Sequence, residues 1–179
     1  MASPAISAKL DPITGQEDLR DLTHPRHALT QFYRAFNNRD ISLMQENWSS
    51  TDDISMNNPL GGIKRGWSEI RRVYERLFSG PAHISAALYS YTLHVAGDIF
   101  YAVGRERGVY EGPTTSFILA IRTTRIFRLV GHQWRQVHHH GSIDDPALLA
   151  RYQSALSSQS SASFYATPPL SICYPNVHV

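Results

Sequence analysis

Residues 118–142 of this 179-residue chain are rich in arginine and histidine, side chains able to bind anions or move protons, and three of them stand out by their spacing: Arg125, His138 and His140. Two segments rich in β-branched and aromatic residues flank a short glycine-containing turn in this stretch, a pattern that predicts a β-hairpin. Counting back from the turn pairs Arg125 with His138 and Thr123 with His140, and paired residues share one face of a sheet. We therefore predict that these four side chains form one polar cluster lining a pocket.

Arg125 is the first candidate for ligand binding in this cluster. Its predicted face also carries Phe127, Leu129 and Trp134, which we expect to be core. A guanidinium on such a face must meet an anion or an internal partner, because burying an unpaired charge is costly. We predict that Arg125 binds a small anionic molecule such as a carboxylate, with an internal ion pair to Glu106 as the alternative.

His138 and His140 are the candidate acid–base groups, because the ordinary pKa of histidine lies near neutrality. The same His-x-His spacing can hold a metal, but a site needs a third ligand. The candidate third ligands elsewhere in the chain are Asp52, Asp53, His94 and Glu106, and none of them has a spacing that marks a metal site. We therefore expect no metal, and no cofactor motif is present either. His139 alternates with these two residues and is expected to face solvent or a subunit partner.

The elements that position these residues are helices first and strands afterwards. Apolar residues at helical spacing predict helices near residues 23–36, just after Asp40, and at 67–78. Alternating segments from Ile84 to Ser142 predict a four-stranded antiparallel meander, and a short helix follows to about Leu156. This order predicts an α+β domain, in which a curved antiparallel sheet wraps on the N-terminal helices as a cone whose mouth is a natural pocket.

The chain divides into three predicted parts. Residues 1–23 are mixed and polar, and we expect a loose N-terminal arm. Residues 24–156 form the domain. Residues 157–179 begin as a serine-rich, low-complexity linker and end in a tail.

Composition argues against several kinds of partner. The net charge is only +2 with neutral histidines, so we expect no nucleic acid partner. No apolar run approaches the roughly 20 residues of a membrane span, so we expect no membrane partner. The N-terminal residues lack a signal pattern. The single cysteine, Cys173, cannot form an internal disulfide, which is compatible with a reducing cytoplasm, the location we expect.

Three stretches of the sequence carry a family resemblance: residues 28–40, the Asn-Pro-Leu-Gly turn at 58–61 with the helix that follows it, and residues 134–142. They resemble the nuclear transport factor 2-like superfamily, which includes the SnoaL-like and ketosteroid isomerase-like domains. The resemblance covers about residues 24–152 and implies the cone fold. It leaves the function open, because this fold hosts isomerases, cyclases, hydrolases and non-catalytic modules.

The turn and the first helix differ from the ketosteroid isomerases at two positions. Those enzymes take their general base from an Asp-Pro-Val-Gly turn, and the matching position here is Asn58, whose carboxamide cannot take up a proton. Their oxyanion tyrosine matches Phe32, with Tyr33 one residue away. The resemblance therefore implies no steroid-type proton transfer, and it leaves Asn58 as a hydrogen-bond donor.

The final strand resembles a second member, the association domain of calcium/calmodulin-dependent protein kinase II, which has a similar Trp-x-x-Val-His-x-His segment. A pocket arginine of that domain lies nine residues before the tryptophan, as Arg125 lies nine before Trp134. A second pocket arginine falls near Arg105. Alternation from Phe100 would instead turn Glu106 inward, and of the two we favour Arg105 as a ligand contact.

Aromatic residues on the helices would form the opposite wall of the pocket. Trp48 is our preferred ligand-facing aromatic residue, with Tyr33 beside it, although such side chains are more often plain core. The outer face of the sheet mixes apolar residues such as Ile126 and Val137. Because an open face of that kind is normally covered, we expect a homodimer.

Two function classes follow. The first is a binding protein whose pocket captures a small, anionic molecule. The second is an isomerase, cyclase or lyase that uses His138 or His140 with Asn58 as donor. An inward histidine with a shifted pKa beside an unsatisfied donor would favour the enzyme, whereas histidines saturated by internal partners would favour binding.

Overall fold

A computed structural model of the chain describes residues 11–162, with side chains to residue 157, so the first ten residues and the tail with Cys173 lie outside it. Within that range helices precede the long strands. The elements in order are α1 (Pro25–Asn37), α2 (Ile41–Asn47), β1 (Ser55–Asn57), β2 (Lys64–Arg65), α3 (Gly66–Ser79), β3 (His83–Ala96), β4 (Ile99–Glu111), β5 (Ser116–Val130), β6 (Gln133–Ser142) and α4 (Pro146–Ala162).

The strands form one curved, unclosed sheet in the order β2-β1-β6-β5-β4-β3. Neighbours are antiparallel except β1 and β6, which pair in parallel. The predicted α+β fold of helices and a curved sheet is confirmed. The sheet is mixed rather than a pure meander, because the short β1 and β2 extend it beyond β6.

Capping residues determine where the first two helices begin. The side chain of His24 accepts a hydrogen bond from the backbone N–H of Arg26, and Pro25 occupies the first turn of α1, where its missing N–H costs nothing. Asp40 accepts from the backbone N–H of Leu43 at the start of α2.

Trp134 belongs to the core, as predicted. It is 6% exposed, its ring lies edge-on to Phe100 at 4.9 Å between centroids, and its Nε1–H donates to the backbone carbonyl of Thr23 at 2.7 Å. Phe127 is fully buried beside it. Leu129, which the same pattern placed in the core, is 37% exposed because it lies at the end of the hairpin.

Both ends of the domain depart from expectation. The arm is held in place from its described start, because Ile13 is fully buried and exchanges two backbone hydrogen bonds with Leu88, at 3.0 and 2.8 Å. Gly15 has a φ of +90°, and a Cβ there would lie 2.5 Å from the backbone nitrogen of Arg34, so only glycine fits. At the other end, α4 runs six residues past the predicted end at Leu156, to Ala162. No helix within residues 11–162 combines the length and apolar character needed to cross a bilayer.

Candidate functional site

A cavity of about 70 Å³ lies between the helices and the inner face of the sheet. Its helical wall is apolar and aromatic, and consists of Phe32, Phe36, Val73, Tyr74 and Leu77. The sheet contributes the apolar side chains of Met56, Ala86 and Ile121. It also contributes the polar side chains of Glu106, Arg125 and His139. The turn from Asn58 to Leu60 and Tyr152 of α4 complete the lining. Apolar walls with a few convergent polar groups are typical of small-molecule sites.

Arg125 lies at the centre of a buried network and is only 1% exposed. Its Nη2 donates to Glu106 Oε1 at 2.6 Å, its Nη1 to Gln136 Oε1 at 3.0 Å, and its Nε to the Tyr33 hydroxyl at 3.4 Å. Phe32 covers one face of the guanidinium, with its ring centroid 3.4 Å from Cζ. Although burial acts to lower it, the pKa of Arg125 is raised by neighbouring Tyr33 and Glu106, so the side chain stays charged.

The internal ion pair left open by the sequence is therefore present. Glu106 is 7% exposed, and its Oε1 also accepts from the Tyr33 hydroxyl at 2.8 Å. The preference for Arg105 as an inward residue is wrong. Its side chain is 53% exposed on the outer face and lies 3.8 Å from Asp144, because side chains alternate from Phe100 without interruption.

The predicted directions of the three histidines are also wrong. Strands β5 and β6 pair as expected only as far as Phe127 opposite Gln136. The next pair is Ile126 with His138, so Val137 is an extra, unpaired residue, a β-bulge. Beyond it Arg125 lies opposite His139. The bulge turns His139 inward and His138 and His140 outward.

His139 is the buried histidine of the cavity wall. It is 6% exposed, and its Nε2 lies 3.2 Å from the Thr123 hydroxyl. Its Nδ1 is buried and has no hydrogen-bond partner among the described residues. Burial, together with the positive charge of Arg125, holds the pKa of His139 well below 6.5, so the ring is neutral at pH 7.

His138 and His140 point away from the cavity, towards the outer surface of the sheet. His138 Nδ1 lies 2.8 Å from the Ser55 hydroxyl of β1. Burial and then the neighbouring His140 lower the pKa of His138. His140 is exposed. Neither residue lines the cavity. The predicted pairing of Arg125 with His138 and of Thr123 with His140, on which their acid–base role depended, is not the pairing of the structure.

The other predicted ligand contacts divide into three kinds. Asn58 lines the cavity, and its Oδ1 accepts from the backbone N–H of Leu60 at 2.9 Å. Tyr33 and Thr123 are buried behind the lining, where they hold Glu106 and His139 respectively. Trp48, our preferred aromatic contact, is 2% exposed in the core and is not part of the lining.

Tyr74 is a further polar group of the cavity, on its helical wall. Its hydroxyl is buried and makes no hydrogen bond with the residues that the structure describes. Burial raises the pKa of Tyr74 to about 12, so the phenol remains protonated and can donate. Tyr152, from the predicted C-terminal helix, also reaches the lining.

No metal site accompanies these groups. Among the side chains described between residues 11 and 157, no three His, Cys, Asp or Glu side chains come together in a way that could hold a metal ion.

Several solved structures share this fold. A proposed dehydratase of the nuclear transport factor 2-like family from Streptomyces avermitilis has a TM-score of 0.59 and 22% identity, and the match covers 64% of this chain and 89% of that one. A proposed calcium/calmodulin-dependent protein kinase type II association domain from Thiobacillus denitrificans has a TM-score of 0.56 and 23% identity, covering 68% and 95%. A proposed aromatic ring hydroxylase from Novosphingobium aromaticivorans has a TM-score of 0.61 and 16% identity, covering 73% and 94%. At these identities the similarity concerns the fold alone.

Sequence comparison leads to the family. No curated protein sequence matches the chain. The sequence profile of the SnoaL-like domain matches residues 26–146, which is more than half of the chain and includes α1 to β6. The fold, the cavity between helices and sheet, and this match agree. The chain belongs to the family of SnoaL-like domains, within the nuclear transport factor 2-like superfamily.

Proposed function

We propose that this SnoaL-like protein is a small-molecule enzyme of the isomerase, cyclase or lyase type, with the cavity as its active site and Glu106 as the base. The observation that carries the proposal is the state of the Glu106 carboxylate. Tyr33 and Arg125 hold Oε1, whereas no described residue donates a hydrogen bond to Oε2. A carboxylate oxygen with no internal partner, in an apolar cavity, is suited to removing a proton from a bound molecule.

The neighbouring groups have supporting roles in this proposal. Arg125 and Tyr33 orient the carboxylate by donating to Oε1. The positive charge of Arg125 balances the carboxylate before proton transfer and the substrate anion after it. The amide of Asn58 and the protonated hydroxyl of Tyr74 are donors that can stabilise negative charge developing on a substrate oxygen. The acid–base role expected of His138 and His140 passes to Glu106, because both histidines face outward.

The proposal can be tested without knowing the natural substrate, by using a compound whose C–H proton any well-placed base can remove. In 5-nitrobenzisoxazole, a base removes the ring C–H proton, the N–O bond breaks, and a coloured cyanophenolate forms. The wild-type protein should accelerate this elimination, and Glu106→Gln should slow it by about 100-fold or more. Glu46→Gln, which changes an exposed carboxylate on α2, should leave the rate unchanged.

Two further measurements keep the test interpretable. Circular dichroism establishes that the Glu106→Gln protein is folded. Glu106→Asp retains a carboxylate and should retain part of the rate even if the glutamine variant is unstable. Because the probe is larger than a single ring, its binding to each protein is measured by titration. Equal elimination rates in folded wild-type and Glu106→Gln proteins that both bind the probe would rule out Glu106 as the base.

A second candidate function is a binding protein without catalysis. It is favoured by the extent to which the buried polar groups satisfy one another: Arg125 has three partners, and His139 Nε2 lies close to the Thr123 hydroxyl. Ligand binding in the cavity with no elimination activity would support it.

Homodimer formation is a further part of the proposal. The outer face of the sheet carries Ile118, Val103 and Tyr101, which are 73%, 44% and 39% exposed. A second copy of the chain would cover them. Light scattering should give a dimer mass, and Ile118→Arg should shift it towards the monomer. A cytoplasmic location is also proposed, on the basis of the single cysteine.

A further inference from the structure

The charge balance of the cavity argues against the anionic ligand that Arg125 first suggested. Arg125 and Glu106 contribute one positive and one negative charge at 2.6 Å, and His139 is neutral. Phe32 covers the guanidinium, which is 1% exposed. A carboxylate ligand would have to lose its hydration beside Glu106 and would find no unpaired cation in the lining.

Among the described residues that line the first cavity, the charged atom without an internal partner is a hydrogen-bond acceptor. Oε2 of Glu106 receives no hydrogen bond from the described residues, and an ionised carboxylate can only accept. Its complement in a ligand is a hydroxyl or N–H donor. A hydrogen bond that involves a charged group is also stronger than a neutral one, so this contact would dominate polar recognition.

The aromatic walls of the cavity indicate the shape and polarity of the rest of the ligand. Phe32, Phe36 and Tyr74 form a ring cluster on the helical side, with centroids 6.0 to 6.5 Å apart. A second cavity of about 40 Å³ adjoins the first and also has Glu106 and Tyr152 in its lining. The one cation among its described lining residues, Arg107, lies over the ring of Tyr89, with Cζ 5.6 Å from the centroid. Since a cavity of about 150 Å³ binds benzene, a single aromatic ring is the upper limit of what the two cavities can hold. Aromatic walls favour a flat ring that packs against their faces and edges.

We propose that the cavity takes a neutral, single-ring phenol or aromatic alcohol, whose hydroxyl donates to Glu106 Oε2. This inference rests on the proposed use of the cavity as an active site. It names the substrate class, which is a neutral hydroxyl compound and not the carboxylate ligand that we expected from the sequence.

Equilibrium binding tests the inference on the wild-type protein alone. Phenol, toluene and benzoate share one ring and differ in carrying a donor, no polar group or an anion. Isothermal titration should show that phenol binds about tenfold or more tightly than toluene, as expected for a charge-assisted hydrogen bond, and that benzoate binds more weakly than either. Benzoate binding as tight as that of phenol, or equal affinities for phenol and toluene, would overturn the inference.

A variant locates the effect. In Glu106→Gln, the amide oxygen can still accept from Arg125 while the amide nitrogen replaces Oε2, so the advantage of phenol over toluene should fall to about twofold or less. Glu46→Gln should keep the full tenfold difference. Selective phenol binding without Glu106-dependent elimination would remove the catalytic proposal alone, whereas elimination without phenol selectivity would remove this substrate class alone.

Discussion

The buried ion pair of Arg125 and Glu106 should be the most sensitive polar contact of the domain. Glu106→Gln keeps the shape of the side chain but leaves the guanidinium, 1% exposed, without a counter-charge. Breaking a buried pair from one side costs about 3–5 kcal/mol. For a domain of this size each kcal/mol lowers the melting temperature by about 2–4 °C. We therefore expect Glu106→Gln to melt about 6–20 °C below the wild-type protein in calorimetry.

A double-mutant cycle separates the pair from its surroundings. Arg125→Met should also cost about 3–5 kcal/mol, because the carboxylate then loses its partner, but the double variant should cost far less than the two single changes combined. The exposed pair of Arg128 and Asp53, joined at 3.2 Å, is the matched control, and its two single changes should be close to additive because solvent screens the pair. Additive costs in the Arg125 and Glu106 cycle would refute the structural role assigned to this pair.

Three other predictions concern the core, the inward histidine and the reaction that should be missing. Trp134→Ala should lower the free energy of unfolding in urea by about 3–5 kcal/mol, because it empties a core site; an unchanged midpoint would contradict that site. Because the pKa of His139 is lowered in the folded state, the unfolded chain binds the extra proton below about pH 6.5, and wild-type stability should fall on acidification by up to about 1.4 kcal/mol per pH unit. His139→Gln should lose most of this dependence in urea titrations at several pH values, with the smaller contribution of His138 left, whereas His132→Asn, in the exposed turn, should keep it. Neither the wild-type protein nor Asn58→Asp should isomerise a 3-oxo-Δ5-steroid appreciably, because a steroid has several fused rings and cavities of about 70 and 40 Å³ have space for no more than one; robust formation of conjugated enone absorbance would contradict this.

Much of the fold could be predicted because its signals are local. Helix α1 follows from a cap, a proline in the first turn and an apolar stripe, all of which act within a few residues. The hairpin of β5 and β6 follows from its turn. The pinned arm could not be predicted, because Ile13 is a lone apolar residue whose burial depends on Leu88, far away in sequence.

The candidate site was predicted in part, for a related reason. Arg125 and Glu106 follow strict alternation along β5 and β4, and the internal pair was one of the two alternatives that the sequence allowed. His139 was missed because strand β6 contains an extra residue at Val137 that nothing in its local sequence marks. When side chains are assigned to faces by alternation, one unrecognised extra residue places every later side chain of the strand on the wrong face.

The bulge also has a consequence for how this strand tolerates changes in length. A one-residue deletion within a strand ordinarily exchanges its two faces, but removal of Val137 would bring Gln136 and His138 into the regular succession opposite Phe127 and Ile126. His139 would keep its place opposite Arg125. Homologous chains one residue shorter at this point can therefore hold the same inward histidine, and it lies four rather than five residues after their tryptophan.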